Sequence, residues 1–309
     1  MRADNSRARA WLMAIRPQTL PAAAAPVIVG TAMAVHRGMF ALWPAIAALL
    51  GAELIQIGTN FANDYFDAVK GADTADREGF TRVTQSGLIP PRRVKAATVG
   101  AFGLAVLVGL YLVYVGGIPI LVVGLASIAS GITYTGGPYP FGYYGLGDLF
   151  VFVFFGLLAV AGTFYVQAVT VLASPFPRWI PPGSVPLEVV VASLPMAALS
   201  TAILVVNNVR DMETDRDTGK ITLAVRLGYR GSRLEFTGLV ALSYLVPIYF
   251  YATGSPIAVL LPLLTAPLAY RVVRTMWTET GGEVLNDTLE RTGQLLALFA
   301  VLFAIGLVA

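Results

Sequence analysis

Asn60-Phe61-Ala62-Asn63-Asp64-Tyr65-Phe66-Asp67 closes one long apolar segment, and Asn207-Asn208-Val209-Arg210-Asp211-Met212-Glu213-Thr214-Asp215-Arg216-Asp217 closes another. Carboxylates at the end of an apolar segment are costly in a bilayer unless something binds them. The rest of the chain says that a bilayer is the setting. Of its 309 residues, 56% are hydrophobic and only 13% charged, with a mean hydropathy of +0.71. Soluble domains carry about 25% charged residues. The fold expected is therefore all-α, a polytopic membrane helix bundle. No polar stretch is long enough to fold apart, so residues 1–309 read as a single membrane-embedded domain.

Windows of about 20 apolar residues mark spanning helices. They predict nine transmembrane helices around a central cavity, near 16–35, 41–62, 96–115, 117–134, 148–170, 187–207, 234–252, 255–273 and 292–309. Gly116-Gly117 and Gly254-Ser255-Pro256 supply tight turns, while 63–95, 135–147 and 208–233 read as long polar connections. The N-terminus imitates a signal peptide, with Arg2, Arg7 and Arg9 before an apolar run. Pro17, Pro21 and Pro26 interrupt that run and many spans follow, so it reads as an uncleaved first helix.

Lys and Arg collect in cytoplasmic loops. With the N-terminus inside, 19 of the 21 basic residues fall on that side, and only Arg37 and Arg178 fall outside. This places both acid clusters in the cytoplasm and the C-terminus outside. The formal charge of +3 follows from the same topology and is no sign of nucleic-acid binding. Each cluster ends an even-numbered span, so spans 1–4 and 5–8 read as a pseudo-repeat that sets the clusters across one cavity.

Spacing gives the chemistry. Asn60, Asp64 and Asp67 stand at i, i+4 and i+7, and Asn208, Asp211 and Asp215 at i, i+3 and i+7. Each set is expected on one helix face. One amide and two carboxylates suit a hard cation, and Mg²⁺ prefers a few carboxylates plus water and phosphate oxygens. With no Cys, thiolate sites are excluded, and with a single His36 the pattern argues against zinc and softer metals. Two Mg²⁺ ions bridged by a diphosphate would fit. Arg82 and Lys220, in donor-rich loops, are candidate diphosphate-binding groups. Asp73, Asp76 and Asp217 stand among charged neighbours as loop acids. The loop Thr133–Asp148, rich in Gly and Tyr, reads either as an aromatic pocket wall or as part of the interfacial belt. A secondary transporter is the rival class. Inverted repeats and midplane acids mark transporters, whereas the two clusters here keep one orientation and sit at helix ends.

The stretches Arg16-Pro17-Gln18-Thr19-Leu20-Pro21, Asn63 to Asp73, Gly142 to Asp148, Gly162 to Gln167 and Asn207 to Gly228 resemble, in order, the UbiA-type superfamily of intramembrane prenyltransferases. Gly71 stands where the general pattern of that superfamily has a third acid. This form resembles the branch that prenylates 1,4-dihydroxy-2-naphthoate in menaquinone synthesis. The resemblance implies transfer of a polyprenyl group from its diphosphate to the aromatic acceptor, with loss of diphosphate and CO₂, giving demethylmenaquinone. Other branches, acting on homogentisate or a glycerol phosphate lipid, are the alternatives. On this reading Asp64, Asp67, Asp211 and Asp215 are catalytic Mg²⁺ ligands, probed by Asp64→Ala or Asp211→Ala with the bundle expected to stay folded. Asn60, Asn63, Asn208, Arg82 and Lys220 bind the diphosphate, and the enzyme sits in the plasma membrane.

Overall fold

The computed structural model describes residues 2–70 and 82–309, and every regular element in it is helical. In chain order these are α1 (Arg2–Ile15), α2 (Pro21–His36), α3 (Leu42–Lys70), α4 (Pro91–Thr133), α5 (Gly147–Phe152), α6 (Ala159–Leu172), α7 (Leu187–Arg210), α8 (Met212–Asp217), α9 (Leu223–Ala252), α10 (Ala266–Thr278) and α11 (Glu283–Val308). A π-helical segment, Val153–Leu158, joins α5 to α6, and a 3₁₀ segment, Ile257–Thr265, precedes α10. Among the described residues, seven helices are long and apolar enough to cross a membrane, or eight if α1 and α2 form one bent span.

That tally differs from nine mainly at α4. Its 43 residues would run to about 65 Å as one straight helix, roughly twice a bilayer's hydrocarbon core. The helix breaks at Gly117, whose φ of 65° and ψ of −151° are not helical. A Cβ there would lie 1.9 Å from the Pro177 carbonyl oxygen. Only glycine satisfies both the backbone angle and the close approach. The two expected spans, 96–115 and 117–134, are thus the two arms of a helix broken at the expected turn.

Other boundaries shift for one reason: hydropathy marks the bilayer, whereas helical hydrogen bonding continues past it. Helix α3 carries its acids on to Lys70, α9 begins at Leu223 and α11 begins at Glu283. The expected loop 208–233 is largely helical. The first span is broken instead of continuous. Arg16 adopts a left-handed backbone (φ 56°), Pro17 and Pro21 each remove a donor, and the two flanking helices meet at 46°.

Helix α7 is the most buried span and sits at the centre. Its Val189, Met196, Leu199 and Val206 pack with Val29 and Met33 of α2, Phe164 of α6, Phe236 of α9, and Phe299 and Phe303 of α11. The α3–α4 pair forms the other flank. A cavity opens between this flank and the α7-centred core.

Candidate functional site

The first acid cluster is organised by a turn that returns to it. Asp64 lies on the last turns of α3, almost fully buried, and accepts the backbone N–H groups of Val83 and Thr84 at 3.1 Å each. This fixes the turn that follows Arg82 and sets the guanidinium over Asp67, Nη2 to Oδ2 at 2.9 Å. The other Asp67 oxygen accepts the Tyr143 hydroxyl at 2.7 Å. Asn63 Oδ1 accepts from Thr135 at 2.9 Å. Asn60 faces inward too, but its Nδ2 donates to the Ile15 carbonyl at 2.8 Å and to Thr19 at 2.9 Å. It thereby ties the broken N-terminal segment to α3.

The second cluster does not share one helix face. Helix α7 ends at Arg210, and Asp211 is its terminal cap, with φ −93° and ψ 9°. The chain then turns into α8, so Asn208 and Asp215 belong to different helices. Arg210 grips Asp211 by two bonds of 2.8 Å and also reaches Asn207 and Asn286, each at 2.8 Å. After α8, Gly219 takes φ 74° and folds the chain back. Lys220 Nζ then meets Asp215 Oδ1 at 3.1 Å.

The two clusters face one cavity of about 450 Å³. Of the nine residues expected at the site, Asn60, Asn63, Asp67, Arg82, Asn208 and Lys220 line it; Asp64, Asp211 and Asp215 stand behind this layer. Asp73 and Asp76 lie outside the described residues. Below the polar mouth the wall is apolar, with Phe150, Phe154 and Phe155 on one side and Val123, Gly124 and Ile128 on the other. Phe141 stacks on Phe150 with centroids 3.8 Å apart. Tyr134 stands at the mouth. Its phenol is protonated at neutral pH and can donate a hydrogen bond there.

The donor types, carboxylate and amide oxygen, are those a hard cation such as Mg²⁺ takes, but among the described residues no three acids stand close enough together to form a finished metal site. The basic groups that now neutralise the acids are the type that bind phosphate oxygens. Three groups escaped the sequence reading. Tyr143 was one tyrosine among several in its loop. Asn207 adjoins the expected Asn208 and lines the cavity. Asn286 lies 76 positions from the Arg210 it contacts, and no local pattern marks it.

An apolar cavity crowned by acidic, amide and basic groups inside a helical bundle defines a membrane protein built to hold an amphiphile with an anionic head. The chain belongs to the UbiA prenyltransferase family, whose profile matches residues 23–284. It is 40% identical over 310 residues to the 1,4-dihydroxy-2-naphthoate octaprenyltransferase of Escherichia coli (strain K12), covering 98% of this chain and 96% of that protein. The fold matches a UbiA homolog from Aeropyrum pernix K1 with a TM-score of 0.69 at 17% identity, over 92% of this chain and 96% of that one. It also matches a UbiA homolog from Archaeoglobus fulgidus bound to GPP and Mg²⁺, with a TM-score of 0.61 at 15% identity, over 96% and 100%.

Proposed function

We propose that this protein transfers a polyprenyl group from its diphosphate to 1,4-dihydroxy-2-naphthoate, releasing diphosphate and CO₂ and giving demethylmenaquinol, the reduced form of demethylmenaquinone. The observation that carries this reading is the 40% identity to a naphthoate octaprenyltransferase along nearly the whole of both chains. The division of the cavity into a charged mouth and an apolar body supports it, because the donor substrate divides in the same way.

Asp64, Asp67, Asp211 and Asp215 would hold Mg²⁺, with Asn60, Asn63 and Asn208 as supporting amides. The metal would supply positive charge where the leaving group gains negative charge. Arg82 and Lys220 orient the diphosphate and stabilise the charge it gains as the allylic C–O bond breaks and the electron pair leaves with oxygen. Tyr134 adds a donor at the mouth. The prenyl carbon, now electron-poor, lies in a cavity whose apolar and aromatic walls exclude water and stabilise positive charge. The ring carbon of the acceptor forms the new C–C bond, and loss of CO₂ restores aromaticity.

The arm of α4 after Gly117 and the Val153–Leu158 segment both line the cavity, while α4 finds its main packing partners in α3 and α6. The gap between these walls is where we place the exit of a long prenyl tail into lipid. The excess of Lys and Arg on the acid-bearing side supports an N-terminus and active-site loops in the cytoplasm and a C-terminus outside, and the membrane we assign is the plasma membrane.

The test is direct. Purified protein in detergent, given dihydroxynaphthoate, a polyprenyl diphosphate and Mg²⁺, should form the prenylated naphthohydroquinone, read as the quinone after oxidation in air. Failure with this acceptor, alongside success with another aromatic one, would overturn the naphthoate assignment.

A further inference from the structure

Tyr143 joins the two acid clusters through three different interactions. Its hydroxyl donates to Asp67 Oδ1 at 2.7 Å. Its ring centroid lies 5.4 Å from Lys70 Nζ and 5.6 Å from Lys220 Nζ. Its carbonyl accepts the backbone N–H of Ile221, next to Lys220, at 3.0 Å. Lys70 ends α3, whereas Lys220 follows α8. Two ammonium groups far apart in sequence therefore meet one ring.

Like charges do not gather without compensation, and each lysine has its own. Lys70 donates to the carbonyls of Thr135 at 2.6 Å and Gly137 at 3.2 Å. Lys220 pairs with Asp215 at 3.1 Å. The electron-rich face of an aromatic ring attracts both at these distances. Lys70 is exposed and latches the 135–137 loop that leads to the ring, while Lys220 lines the cavity.

We propose that Tyr143 is a positioning residue for the diphosphate site: its ring holds the Lys220 ammonium at the cavity mouth, and its hydroxyl fixes the Asp67 carboxylate. The inference rests on the proposed role of Lys220 toward diphosphate. It assigns two separable tasks to one side chain. The ring governs the affinity for diphosphate, and the hydroxyl governs how Asp67 is presented to a cation.

The experiment compares Tyr143→Phe, Tyr143→Leu and p-cyanophenylalanine at position 143 with Lys220→Met as control. Binding of inorganic pyrophosphate with Mg²⁺ is read by calorimetry, and KM and kcat by turnover. Tyr143→Phe should keep pyrophosphate affinity within about twofold and shift the Mg²⁺ concentration giving half-maximal rate. Tyr143→Leu should weaken pyrophosphate binding and raise KM for the prenyl diphosphate by about threefold to tenfold, with the acceptor KM unmoved. The cyano variant keeps the shape but withdraws ring electrons, so it should fall between Phe and Leu even if Leu fails to fold. A folded cyano or Leu variant that binds pyrophosphate like Phe would overturn the role of the ring. An unchanged Mg²⁺ requirement in Tyr143→Phe would overturn that of the hydroxyl. If Lys220→Met itself leaves pyrophosphate binding unchanged, the diphosphate site is misassigned and this inference falls with it.

Discussion

Arg210 folds back on its own neighbour, its Nε and Nη2 each 2.8 Å from the two carboxylate oxygens of Asp211. Both side chains are almost wholly buried, at 1% and 2% exposure. A forked, desolvated pair of this kind holds the end of α7 in register with α11 through Asn286. Removing one partner strands the other charge, at a cost of about 3–5 kcal/mol. Asp211→Ala should therefore lower the thermal midpoint in detergent together with turnover, contrary to the simple expectation of an inactive but intact bundle. Asp211→Asn keeps the shape and should lose activity with a smaller loss of stability. A melting curve for Asp211→Ala that overlays the wild type would refute this account.

Arg82 and Asp67 form the equivalent pair on the other flank, 2.9 Å apart and both buried. A hydrogen bond to a charged group contributes about 1.5–3 kcal/mol. Arg82→Gln should raise KM for the prenyl diphosphate by roughly 10- to 100-fold while the acceptor KM stays near its normal value. Steady-state kinetics with each substrate varied in turn decides the matter.

Asp64 does structural work alongside any metal-binding role, because both its oxygens accept backbone N–H groups of the 82–84 turn. Asp64→Ala should release that turn, seen as faster limited proteolysis between Arg82 and Arg92, with a rate loss of about 100-fold or more. Equal proteolysis of variant and wild type would separate the two roles and leave only the electrostatic one.

Gly162 lines the cavity on α6, and a Cβ added there meets nothing within 4 Å. Gly162→Leu should cost no stability, since leaving glycine in a helix interior gains about 0.5–1 kcal/mol. The added side chain occupies space otherwise available to substrate. The ratio of kcat/KM for geranyl diphosphate to that for a long polyprenyl diphosphate should rise several-fold. An unchanged ratio would place the prenyl chain elsewhere.

Chelation supplies a last check. Treatment with EDTA should abolish turnover, and Mg²⁺ should restore it better than Zn²⁺, because the donors are oxygens and the chain has no cysteine. Full activity in excess chelator would remove the metal from the mechanism.

The spans were legible because hydropathy reports the transfer energy of side chains, and glycines such as Gly117 announce a turn wherever they interrupt such a run. The acids were legible because charge is conspicuous against lipid. What the pattern hid was pairing. Arg82 and Lys220 were expected as phosphate ligands, and the structure adds that they hold Asp67 and Asp215, partners 15 and 5 positions away. Helical spacing put Asn208, Asp211 and Asp215 on one face, yet Arg210 gripping Asp211 accompanies a helix end that periodicity does not encode. Tyr143 stayed between two readings for another reason: an interfacial tyrosine and a site tyrosine have the same local sequence.

The hairpin tip of α4 is stapled to α6 and to the segment after it. Ile118 N–H donates to the Pro177 carbonyl at 3.1 Å, Phe176 N–H to that of Tyr114 at 2.9 Å, and the Tyr165 hydroxyl to that of Gly116 at 2.9 Å. Beneath it, Ala48, Leu112, Ile120 and Val166 close the floor of the cavity with hydrocarbon. A hollow protein in an energised membrane risks becoming a leak. The end remote from the charged groups is thus lined by packed alkyl groups, which give water little to bind there. The packing that ends the cavity therefore also limits how far water can follow a ligand into it.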